Sequence, residues 1–84
     1  DSTVKIQVAY PTPQEPALPA ELQVLHHSQV GRVHTYIMRG SSEEICRRMQ
    51  ITEPVLLEAI PLTLEEIFIY ELGGADDAAH KILL

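Results

Sequence analysis

The chain has no tryptophan, one phenylalanine and three tyrosines, so any core it builds must be mostly aliphatic. It has a single cysteine, Cys46, which excludes an internal disulfide and any multi-cysteine zinc site. A lone thiol fits a reducing compartment. Basic residues are scarce: six Lys and Arg against twelve Asp and Glu leave a net charge of −6. A surface that tracks phosphates needs clustered cations. Arg47-Arg48 is the only adjacent basic pair, so nucleic acid is not an expected partner. No apolar run approaches the roughly 18–20 residues that span a bilayer, and no secretory signal pattern opens the chain. It starts at Asp1-Ser2-Thr3 without an initiator methionine, as a mature protein or a piece cut from a longer one would.

What is present is ordinary for a globular domain: 84 residues, 45% of them hydrophobic. This length makes one small domain, burying about 60–65% of its unfolded surface. Val4-Lys5-Ile6-Gln7-Val8 alternates apolar and polar, the period of a half-buried strand, with Val4, Ile6 and Val8 toward the core. Pro11, Pro13, Pro16 and Pro19 forbid regular structure after it, so residues 10–20 are expected to form an extended surface loop. Residues 21–27 read as a second strand, with Ser28-Gln29-Val30-Gly31 as its hairpin connection. Residues 32–39 alternate Val33, Thr35 and Ile37 against His34, Tyr36 and Met38. Both faces are partly apolar, which suits a central strand.

Ser41-Ser42-Glu43-Glu44 starts a short helix: a hydroxyl cap is followed by acids where the helix dipole favours them. Ile45, Cys46 and Met49 then fall at helical spacing, with Arg47 and Arg48 near the end. Residues 53–60 return to extended character. Thr63 with Glu66 spells a capping box, and Leu62 with Ile67 a hydrophobic staple. Leu64, Ile67, Phe68 and Leu72 make one apolar stripe, and Gly73-Gly74 a stop, giving a helix of about nine or ten residues. Residues 75–84 form a tail, a frayed end or a further turn of helix.

The order β-β-β-α-β-α predicts an α+β fold. We expect a two-layer sandwich, with a mostly antiparallel sheet of about four strands and two short helices on one face. The single domain spans residues 1–84, with its core in residues 4–74.

Chemistry is harder to find. His26, His27 and His34 are the first cluster to weigh, but adjacent strand residues point to opposite faces, so His26 and His27 do not share a site readily. Solvent-facing or edge histidines are the expected outcome. Cys46 beside two arginines has no neighbouring base and lies toward the buried side of its helix, which fits a structural role. Glu43-Glu44 and Glu65-Glu66 occupy first turns of helices, where dipole complementarity explains them, and Asp76-Asp77 stands apart in the tail. Neither GxxxxGK[ST] nor GxGxxG occurs, so no phosphate-cradling loop is expected. No catalytic, cofactor-binding or metal-ligating residue is expected in this chain.

Residues 58–74, reading EAIPLTLEEIFIYELGG, resemble the end of ATP-binding subunits of bacterial ABC-type transporters. In that family a strand is followed by a Ser/Thr-Leu-Glu-Glu/Asp-Ile/Val-Phe helix near the C-terminus. Thr63-Leu64-Glu65-Glu66-Ile67-Phe68 matches all six positions, and the upstream order of strand, loop, hairpin and short helix is similar. The Walker A loop, the signature motif and the switch histidine of the family have no counterpart here. The resemblance implies a non-catalytic C-terminal accessory or regulatory domain, excised from a longer protein. ATP and Mg would then belong to an ATPase domain upstream in the same polypeptide. The partners implied are that ATPase domain, the matching domain of a second subunit and, indirectly, a membrane-spanning subunit. The implied location is cytoplasmic, at the inner face of the membrane. Tyr10, His26, His27 and Tyr36 are the candidate exposed contact positions. The alternative is a small ligand-binding or dimerisation module with a ferredoxin-like sheet, taking amino acids or metals between subunits.

Overall fold

The computed structural model describes residues 2–73. The chain forms strands β1 (Thr3–Ala9), β2 (Gln23–Val30) and β3 (Val33–Arg39), helix α1 (Ser42–Met49), strand β4 (Leu56–Ile60) and helix α2 (Leu64–Glu66). A 3-10 turn, Gln50–Thr52, follows α1, and a π turn, Ile67–Glu71, continues α2. The strands make one sheet in the order β2-β3-β1-β4, with every neighbouring pair antiparallel. This is the expected α+β domain, with the expected element order. Because β3 and β4 are both antiparallel to β1, they run parallel to each other, and α1 carries the chain between them across β1.

Strand alternation sorts the side chains. Val4 lies opposite Met38, Ile6 opposite Tyr36 and Val8 opposite His34 across the β1–β3 ladder, so all six share one face. Against that face α1 lays Ile45 and Met49, which are buried together with Ile6, Val8, Tyr10, Tyr36 and Met38. Leu18 from the proline-rich segment, Leu22 just after it, Cys46 and Leu57 complete the cover. The loop is therefore folded onto the core at its end, because Leu18 and Leu22 have nowhere else to escape water. The helix starts as its sequence predicts: Ser41 accepts from the Glu44 amide at 3.2 Å.

The second face decides the architecture. Ile37, pointing away from α1, is only 1% exposed, so something else must cover it. Its cross-strand neighbours are Lys5 on one side and His26 on the other. Lys5 reaches Glu66, and the His26 ring lies 6.1 Å from the ring of Tyr70. Thr3, also on this face, donates its amide to Glu71 and its hydroxyl to the Tyr70 carbonyl. Helix α2 and its π turn thus cover the face opposite α1. The expectation of two helices on one face in a two-layer sandwich is corrected to helix, sheet, helix. The first face is filled by α1 and the loop leucines, whereas the second retains Ile37 and Thr3 to be buried.

Two strand boundaries also shift. Strand β2 runs through Ser28, Gln29 and Val30 and turns at Gly31-Arg32, with Val30 paired to Val33. Gly31 sits at φ +61 with open space around its Cα, a conformation that glycine adopts without strain. Strand β4 begins at Leu56 rather than at residue 53, because Glu53 closes the 3-10 turn in the left-handed region at φ 58. The second helix starts at Thr63 with both halves of the capping box in place. It then widens, the Leu72 amide donating to the Ile67 carbonyl, and stops at Gly73 with φ +74. The expected tail, residues 75–84, lies outside the described residues.

Candidate contact surface

Of the four positions expected to make exposed contacts, two are interior. Tyr10 is 0% exposed and Tyr36 2%. Tyr10 is buried because it continues the β1 alternation one residue beyond the strand, its amide donating to the Arg32 carbonyl at 3.1 Å. Its hydroxyl donates to Thr52 Oγ1 at 2.6 Å, and Thr52 in turn donates to the Met49 carbonyl. The phenol is thereby satisfied within the fold. Tyr36 sits mid-strand beneath α1, and burial, followed by the nearby Tyr10 and Glu15, pushes its phenol up to about 12. Neither side chain is free to meet a partner.

The two histidines do point to opposite faces. His26 is exposed beside Tyr70, while His27 is half-buried and stacks on Tyr36 with centroids 4.3 Å apart. His34, expected at the surface or an edge, is 0% exposed. Its Nδ1 shares a hydrogen bond with His27 Nε2 at 2.8 Å, and its Nε2 has no protein partner. The pair is a polar link between β2 and β3 inside an otherwise apolar layer. Period-2 reading placed His34 on the Tyr36 and Met38 face. Only the arrival of α1 and Tyr10 on that face turned an edge histidine into a core one.

Among the described residues, no group of three or more His, Cys, Asp or Glu is arranged to hold a metal ion. Burial pushes the Cys46 thiol up, away from the reactive thiolate. Each acidic pair at a helix start has one carboxylate engaged structurally, Glu44 and Glu66, and Asp76-Asp77 lies outside the described residues. Glu44 accepts from Arg48 at 2.6 Å and from Arg47, and the Arg48 bond, with both arginine charges, holds its carboxyl below the usual range. Arg48 also donates to Glu21 at 2.6 Å, tying α1 to the chain just before β2. Glu66 accepts the Thr63 amide and both of its oxygens lie 3.0 Å from Lys5 Nζ.

What the fold leaves unused is apolar. Of the stripe expected to bury α2, Ile67 is half-buried but the other three positions turn outward: Leu64 is 85% exposed, Leu72 71% and Phe68 37%. The half-buried positions are Glu66, Ile67, Ile69 and Tyr70. The bond from Lys5 to Glu66 fixes the rotation of the first turn, and the π turn then moves Tyr70 and Glu71 over Thr3 and His26. Compared with protein-family models, curated proteins and solved structures, this chain matches none. No helix among the described residues is long and apolar enough to cross a membrane.

Proposed function

We propose that this chain is a non-catalytic accessory domain of a transporter ATP-binding subunit, acting through protein contacts. The observation that carries this reading is the divided use of residues 63–68, the segment that resembles the transporter family. Thr63 and Glu66 form the capping box, and Glu66 also anchors the helix to Lys5. Of the motif's apolar positions other than Ile67, Leu64 is 85% exposed and Phe68 keeps about a third of its surface, 37%, open to solvent. Local folding explains the polar half of the motif; a contact partner explains the apolar half. The engaged carboxylates and the raised Cys46 thiol are consistent with a domain that does no chemistry of its own. In this reading ATP and Mg are bound by a separate ATPase domain, and the complex works at the cytoplasmic face of a membrane.

The test is deletion of these residues from a longer polypeptide that carries an ATPase cassette. Subunit assembly or transport coupling is expected to fall while nucleotide binding persists, and loss of nucleotide binding would overturn a peripheral role. Substituting Leu64, which is 85% exposed, by Ser in the same polypeptide should reproduce the deletion at little cost to the fold. The second reading, a ligand-binding module, is addressed by thermal shift with amino acids and divalent metals. A saturable stabilisation would favour it.

A further inference from the structure

We propose that the outer edge of β2 is a homotypic interface, through which two copies of this chain join their sheets into one of eight strands. This builds on the reading of the chain as a contact domain and not on the transporter assignment. Among the described residues, the sheet order leaves two strands with one unpaired side, β2 and β4. Such edges offer rows of backbone donors and acceptors to another strand.

The two edges differ in what they permit. Strand β4 is five residues long, is bracketed by Pro54 and Pro61, and carries Glu58 at its centre. Two copies of β4 paired antiparallel about a two-fold axis would set Glu58 against Glu58, which like-charge repulsion opposes. Strand β2 is eight residues long and contains no Asp, Glu, Lys or Arg, in a chain whose net charge is −6. It is therefore the border along which two acidic copies can approach without opposing carboxylates.

The register follows from the irregularity in β2. The ladder to β3 shifts between Val24 and His26, where Leu25 forms a bulge, so the regular edge is residues 26–30. Its midpoint is Ser28. A two-fold axis there, perpendicular to the sheet, sets Ser28 against Ser28, His26 against Val30 and His27 against Gln29 of the other copy. Each facing pair lies on one face of the joined sheet, as antiparallel pairing requires. Val30, 82% exposed in one copy, then packs on the His26 side chain of the other. The same axis keeps the two α2 segments on one side of the joined sheet. Tyr70 already reaches His26 on β2, so this end of the α2 segment lies close to the junction.

The experiment is light scattering with size-exclusion chromatography of the 84-residue chain over rising concentration, with disulfide trapping alongside. In a Cys46→Ser background, Ser28→Cys is expected to form a symmetric intermolecular disulfide under mild oxidation, and Glu58→Cys is not. Ser28→Asp is expected to raise the dimer dissociation constant about five-fold, because it opposes two carboxylates on the axis. Ser28→Thr should leave it unchanged, and far-UV circular dichroism checks that each variant is folded. A single-chain mass at every concentration up to ~1 mM, far beyond what a specific edge pairing should need, would overturn the proposal. So would a dimer indifferent to Ser28→Asp but lost in Glu58→Lys or Phe68→Asp. Either failure leaves the deletion test of the accessory-domain reading intact.

Discussion

Removing Glu66 should destabilise this domain more than a surface glutamate would, because one carboxylate closes two structures. It accepts the Thr63 amide at 2.9 Å and so completes the cap of α2. It also holds Lys5 Nζ with both oxygens at 3.0 Å, joining α2 to the central strand β1. The two side chains are 16% and 24% exposed, between a surface pair, which contributes about 0.2–1 kcal/mol, and a buried one, which costs about 3–5 kcal/mol to break. A coupling of about 1–2 kcal/mol follows, and the lost cap adds about 1 kcal/mol. Glu66→Ala is thus expected to lose about 2–3 kcal/mol, and Glu66→Gln less, because its amide oxygen can still accept from Thr63. In a domain of this size each kcal/mol lowers the melting temperature by roughly 4–8 °C. The assay is urea unfolding of Glu66→Gln, Lys5→Met and the double variant, closed as a thermodynamic cycle. The pH dependence has a definite sign. The Thr63 backbone bond, and then Lys5, hold the Glu66 carboxyl below its usual range. Its contribution is present above the unfolded carboxyl's titration and is lost as pH falls through the lower folded value. A coupling below about 0.3 kcal/mol, the limit of ordinary additivity, would refute the claim that this pair anchors α2.

Two further outcomes are expected. Tyr36, with its phenol near 12, should stay protonated when unfolded tyrosines ionise near pH 10. Its contribution is therefore complete below pH 10 and is lost as pH rises from about 10 to 12, which ultraviolet titration with parallel unfolding measures. Replacing the fully buried His34 by Ala should cost about 2–4 kcal/mol, from the cavity and from the lost bond to His27. A change under about 0.5 kcal/mol in urea unfolding, typical of surface sites, would show that the β2–β3 link carries no stability.

Much of the fold is legible in local patterns. Alternation in β1 and β3 assigned Val4, Ile6 and Val8 to the core face and residues 33–38 to alternate faces, and Ser41 and Thr63 marked both helix starts through bonds that span only three residues. The candidate contact residues were less legible. Exposure of Tyr10 or Tyr36 depends on what lands on their face, and α1 together with Leu18 and Leu22 comes from distant positions in the chain. The stripe of α2 misled for a related reason. Leu64, Phe68 and Leu72 recur at helical spacing, but the side that faces the sheet is chosen by the reach from Lys5 to Glu66 and by the π turn.

The amino-acid sequence by itself determined the elements, their order and the caps that bound them, because those rest on interactions between near neighbours. It also determined that β2 carries no Asp, Glu, Lys or Arg and that β4 carries a glutamate at its centre. Only the tertiary structure decided that the helices take opposite faces, that His34 becomes a core residue and that the apolar stripe of α2 meets water. Each of these turns on which surfaces remain to be buried once the sheet has formed. That is a property of the assembled layers, and no window of neighbouring residues contains it.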